Sequence, residues 1–136
     1  MKYIGLDLGS KTLGIAMSDR LGLIASSLTI IRHNEDYDYL IEQLKVIINE
    51  NKVDEIVLGF PKNMNNTIGP KGQLSLQFKE MLENRTNLPV HLVDERLSTK
   101  EATNLLITND TSRKKRKKVI DSMAATIILQ SYLDRK

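Results

Sequence analysis

Residues 3–17 read Y-I-G-L-D-L-G-S-K-T-L-G-I-A-M, and this stretch decides the fold. Tyr3 to Leu8 is a short apolar run closed by Gly9, the pattern of a buried strand. After the turn Gly9-Ser10-Lys11, Leu13 to Met17 reads as a second strand, and I-A-S-S-L-T-I-I at 24–31 reads as a third. Three strands with short links predict an antiparallel meander. One residue does not fit a plain core strand. Asp7 stands between Leu6 and Leu8, which alternation sends to the opposite face. An acid inside an apolar strand is poor strand material and asks for a reason.

Beyond the third strand the period changes. Tyr37, Leu40, Ile41, Leu44, Ile47 and Ile48 recur at three and four, which predicts an amphipathic helix over about 36–50. Val53 to Phe60 is a buried strand, and the loop P-K-N-M-N-N-T-I-G-P carries strong turn chemistry. Leu74, Phe78, Met81 and Leu82 mark a second helix, and Pro89 to Val93 a fifth strand. Ser98 with Glu101 forms a capping box that opens a third helix to about Ile107. Asn109 to Lys118 reads as a charged, mobile link before a last helix from Ile120 to Leu133. The order β-β-β-α-β-α-β-α-α predicts an α/β fold: a mixed five-stranded sheet, three antiparallel strands then two alternating with helices, covered by helices. With 136 residues and no internal repeat, one domain over 1–136 is expected.

Composition narrows the chemistry. The net charge is +3, yet six of the 20 Lys and Arg lie in one run, Arg113, Lys114, Lys115, Arg116, Lys117 and Lys118. Without that run the balance is negative, so the basic character is local and points to a polyanion partner. A solvated loop or a localisation signal are the plainer readings of such a run. Cysteine is absent and there are 2 histidines, which excludes disulfides, thiolate zinc sites and His-rich sites. A metal here would be held by oxygen, as Mg²⁺ or Mn²⁺. The N-terminus shows no long apolar stretch and no segment has the ~20 apolar residues of a span, so no membrane and a cytoplasmic location are expected.

Three acids fall at or near element ends beside apolar sequence: Asp7, Glu95 after the fifth strand, and Asp121 in the first turn of the last helix. Buried carboxylates are costly unless paired or metal-bound, and divalent cations relieve their mutual repulsion. Plainer readings exist. Asp121 suits a helix N-terminus through the dipole, and Glu95 has Arg96 beside it for pairing. Asp94 is as good an acid as Glu95 by pattern alone. Ala124 and Ala125, three and four residues past Asp121, share its helix face and would let the helix press close to the sheet.

Four stretches carry a resemblance: D-L-G-S-K-T-L-G-I-A at 7–16, G-F-P-K-N-M-N-N-T-I-G-P at 59–70, D-E-R-L-S-T-K-E-A at 94–102, and S-R-K-K-R-K-K-V-I-D-S-M-A-A with I-L-Q-S-Y-L-D at 112–134. With their order and spacing, the chain resembles the YqgF family, also called RuvX, the Holliday-junction-resolvase-like or pre-16S rRNA nucleases, over nearly its whole length. Asn65 and Asn66 stand where the family pattern resembles an acid and a glycine. Asn tolerates the left-handed turn region. The resemblance implies an RNase H-like fold with Asp7 beside the fourth strand and near the fifth. It implies that Asp7, Glu95 and Asp121 form the catalytic and metal site, preferring Glu95 to Asp94, with two Mg²⁺ or Mn²⁺ ions. It implies maturation of the 5′ end of 16S rRNA precursor, RNA more than DNA, with ribosomal precursor particles as partners.

In this reading Asp7 bridges two cations and no histidine base is needed; His91 is a packing or edge residue and His33 a loop residue. The basic run holds the phosphate backbone. Lys62 and Asn63, after the fourth strand, and Arg96 add contacts. Rival readings are a Holliday-junction-type DNA endonuclease, a non-catalytic nucleic-acid-binding module, a scaffold in ribosome assembly, and a fragment of a sugar-kinase or actin-like ATPase. The last shares the glycine turn beside an Asp but needs two such domains, for which 136 residues are too few.

Overall fold

The computed structural model describes residues 1–61, 69–94 and 113–135, for 113–122 the backbone alone. The elements are β1 (Tyr3–Leu8), β2 (Thr12–Ser18), β3 (Ala25–Arg32), α1 (Tyr37–Asn51), β4 (Glu55–Phe60), α2 (Pro70–Thr86), β5 (Val90–Asp94) and α3 (Arg113–Arg135). Local chemistry sets their ends. The Asp36 carboxylate caps α1 by accepting from the Tyr39 N–H at 3.1 Å. Lys52 closes the same helix in the left-handed region, φ 54°. Pro70 opens α2, where a missing N–H costs nothing.

The sheet has 5 strands in the order β3-β2-β1-β4-β5. β1 pairs antiparallel with β2, and β2 with β3, as the short links require. β1 pairs parallel with β4, and β4 with β5, through crossovers that carry α1 and α2. The first strand of the chain is therefore the central one.

Alternation divides the core into two layers. Ile4 and Leu6 of β1, Ile56 and Leu58 of β4 and Val90 of β5 pack with Leu40, Ile41 and Leu44 of α1 and Phe78 and Leu82 of α2. Tyr3, Ala16, Val57 and Val93 face the other way and pack with Ala125, Ile128, Leu129 and Leu133 of α3. Full burial of each such aliphatic side chain contributes about 1.5–3 kcal/mol. Gly5 and Asp7 share the α3 face with Tyr3.

On that face α3 lies directly against the backbone of β1. A Cβ placed on Gly5 would come within 2.6 Å of the Leu129 Cβ and 3.0 Å of the Ala125 carbonyl oxygen. Only glycine permits this approach, and the buried Ala124 and Ala125 keep the facing side of α3 equally low.

The meander, α1, α2 and the two parallel strands match the expectation from sequence to within a few residues at their ends. The expected helix over 98–107 lies outside the described residues, as does Asn109 to Ser112. The link is corrected over 113–118, where the chain is already α-helical. Lys and Arg are good helix formers, and a helix docked along its C-terminal half extends at little cost because nucleation is already met.

Substituting Gly5→Ala should lower unfolding free energy by about 1–3 kcal/mol in urea titration, since neither the Leu129 Cβ nor the Ala125 backbone can swing aside. Unchanged stability would show that α3 does not press on the strand.

Candidate active site at the carboxyl ends of the central strands

Asp7 is the penultimate residue of β1, on the α3 face. Its partner on β2 is Gly14. On the other side Leu6 pairs with Leu58, and the same register carried one step further sets Gly59 beside Asp7. The directly paired positions on both neighbouring strands are thus glycines. Gly59 in turn pairs with Val93, and Phe60 with Asp94.

The direction of α3 fixes what lies above. Tyr132 meets Tyr3, ring centroids 5.7 Å apart, while Leu129 and Ala125 meet Gly5. Advancing along β1 therefore means going back along α3. From Gly5 to Asp7 is about 6.6 Å of strand, and the four residues back from Ala125 to position 121 span about 6 Å of helix. Position 121 comes level with Asp7. The expectation that Asp121 sits in the first turn of its helix is corrected: eight residues of α-helix precede it from Arg113. A dipole role at the helix N-terminus therefore cannot account for this acid, since that effect fades within the first turn.

Register also separates the two acids of the D-E pair. Val93 packs on the α3 side and Leu92 against the α1/α2 core, so Asp94 alternates onto the α1/α2 side, the face opposite Asp7. Glu95, Arg96, Lys62 and Asn63 lie outside the described residues, as do the side chains of Arg113 to Lys118 and of Asp121. Among the described residues no group of three or more His, Asp or Glu stands together as a metal site.

The histidines are engaged elsewhere. His91, on the edge strand β5, stacks on Tyr132 at 5.0 Å with its Nε2 3.4 Å from Glu55 Oε1. Tyr3, paired with Glu55, marks this as the end of the sheet away from Asp7. Burial, then the Glu55 carboxylate and Tyr3, push the Tyr132 phenol up from its ordinary value. His33 does lie in a loop, but it is only 4% exposed and hydrogen-bonded to the β1–β2 turn. A lone histidine in R-H-N-E-D carries no periodic signal that would have marked it.

The donor set suits a hard cation: Asp7 offers oxygen, its strand neighbours are bare, and cysteine is absent. A central strand bearing an acid, an antiparallel pair to one side, parallel strands to the other and the last helix over the acid make up the RNase H-like arrangement of resolvase nucleases. The fold is similar to Thermus thermophilus RuvC solved with a Holliday junction substrate, TM-score 0.61 and 13% identity over 98% of this chain and 96% of that one. The chain belongs to the RuvX family, described as Holliday junction resolvase, whose sequence model matches residues 1–135. A Geobacillus relative (strain WCH70) is 56% identical over 100% of this chain and 99% of its own. One from Bacillus subtilis strain 168 is 53% identical over 98% of each. Both carry the name "Putative pre-16S rRNA nuclease".

Asp94→Asn should leave Mn²⁺ affinity within about threefold of wild type by isothermal titration calorimetry, while Asp7→Asn lowers it more than about tenfold. Equal losses would place Asp94 on Asp7's side and contradict the face assignment.

Proposed function

We propose that this chain is a metal-dependent nuclease that hydrolyses phosphodiesters in precursor 16S rRNA, at its 5′ end. The observation that carries the reading is the docking of α3 on Gly5, which sets position 121 level with the central-strand Asp7. Asp7 would hold both of two Mg²⁺ or Mn²⁺ ions, with Glu95 and Asp121 holding one each from either side. Such ions, when bound, supply an activated water and neutralise charge on the leaving 3′ oxygen. Asp7 is suited to the shared position because its strand is paired on both edges and cannot shift without breaking the sheet. Glu95 rather than Asp94 completes the set, since Asp94 alternates to the wrong face.

Arg113 to Lys118 precede Asp121 on the same helix. Cations three and four apart on a helix repel, each pair costing about 0.2–0.5 kcal/mol. A phosphate backbone relieves that repulsion, and its contacts position the strand without reading bases. Lys62, Asn63 and Arg96 would add further contacts. RNA is favoured over junction DNA because the relatives above half identity are named for pre-16S rRNA, while the likeness to RuvC, at 13% identity, is one of fold. With a pre-rRNA substrate the protein would act in the cytoplasm, on ribosomal precursor particles. No helix among the described residues is long and apolar enough to cross a membrane.

The test is cleavage of pre-16S 5′-end RNA, four-way junctions and linear controls with Mg²⁺ or Mn²⁺. Wild type should cut the rRNA precursor, and Asp7→Asn should lose at least about two orders of magnitude in rate while binding RNA no more weakly. Equal cleavage by Asp7→Asn, or none by wild type, would sink the nuclease reading; preferential cutting of the junction would favour the resolvase. Replacing all six cations of the run by Ala should reduce the slope of log affinity against log salt by up to about 4 on single strands. An unchanged slope would remove the run from the interface.

A further inference from the structure

The β1–β2 turn, Gly9-Ser10-Lys11, stands at the same end of the sheet as Asp7, with Ser10 and Lys11 exposed at its tip. It is fastened from inside by His33. The His33 backbone N–H donates to the Lys11 carbonyl at 2.9 Å. Its ring Nδ1 accepts the Glu35 N–H at 3.1 Å. The ring proton is therefore on Nε2, which donates to the Gly9 carbonyl at 3.1 Å. Glu35 holds φ at 61°, a left-handed conformation disfavoured for a residue with a β-carbon, and it is from this conformation that its N–H reaches Nδ1. The ring packs 5.6 Å from Tyr37, which meets Phe78 edge-on at 6.1 Å in the core. Gly9 donates its own N–H to the Thr12 carbonyl at 2.8 Å, and a Cβ on Gly9 would lie 3.1 Å from that oxygen. Both polar groups of Gly9 are thereby fixed two residues past Asp7, the N–H within the turn by Thr12 and the carbonyl by His33, a side chain remote in sequence that the proposed chemistry does not use.

We propose that His33 is a positioning residue: its Nε2–H···O=C bond to Gly9 sets the β1–β2 turn so that Asp7, Ser10 and Lys11 present one fixed surface to the phosphodiester. This rests on the nuclease reading above. This partly buried bond, not bulk stability, is the source of the effect. A glutamine amide at 33 can replace the Nε2 donor, an asparagine amide is too short to do so, and a leucine removes the donor.

Two measurements test this on the full chain. Amide hydrogen exchange of residues 9–12, without metal or substrate, should be about tenfold or more faster in His33→Leu than in wild type, with the amides of β4 and β5 unchanged. In RNA cleavage, His33→Leu should lose about tenfold or more in kcat with KM within about threefold, and His33→Gln should recover most of that loss. If His33→Leu does not fold, His33→Asn against His33→Gln carries the same comparison. Wild-type exchange and kcat in His33→Leu, faster exchange throughout the sheet, or His33→Gln as slow as His33→Leu would each overturn the proposal. Wild-type protein inactive on every substrate would instead sink the nuclease reading, and the exchange rates of residues 9–12 would still decide whether His33 holds the turn.

Discussion

The structure depends on one close contact, a helix lying against a strand backbone at a residue that has no side chain of its own. Gly5 has no Cβ, and the space one would fill belongs to Leu129 and the Ala125 carbonyl. Any other residue there would lift α3 off the central strand. Because Tyr132 meets Tyr3 below that point, the helix direction is fixed as well as its depth. Depth and direction together bring position 121 level with Asp7. The contact thus serves the core, by sealing one sheet face, and the site, by setting which part of the helix stands over the acid.

An acid on the central strand is an unusual choice for a position beside the core. Gly14 and Gly59 lie to either side of Asp7 on the same face and put no side chain over it. Glycines at both paired positions give up side-chain packing there. The same helix carries Asp121 and, nearer Arg113, six consecutive cations. The proposed phosphate contacts and the proposed metal ligand therefore belong to one helix.

Most of the sheet was legible because apolar runs and turn residues dominate it. Tyr3 to Leu8 and Val53 to Phe60 read as strands with no knowledge of their partners, and the spacing of Tyr37, Leu40, Ile41 and Leu44 read as a helix. What failed was local charge taken as a sign of mobility. Arg113 to Lys118 are helical because propensity and an anchored helix outweigh repulsion. The choice between Asp94 and Glu95 was open to pattern, since adjacent acids differ only in face, and face needs the register of β5 on β4. The family resemblance prefers Glu95, and strand alternation puts Asp94 on the face opposite Asp7. His33 was unreadable: its proposed role comes from a contact with Gly9, 24 residues away, that no periodicity records.

The central claim is that Asp7 and Asp121 share a divalent cation because α3 rests on Gly5. Anomalous diffraction at the manganese edge from crystals grown with Mn²⁺ tests it most directly. The account predicts Mn²⁺ bound by carboxylate oxygens of both Asp7 and Asp121, at about 2.0–2.2 Å. Manganese bound away from Asp7, or an Asp121 carboxylate that turns from the sheet and touches no ion, would contradict it.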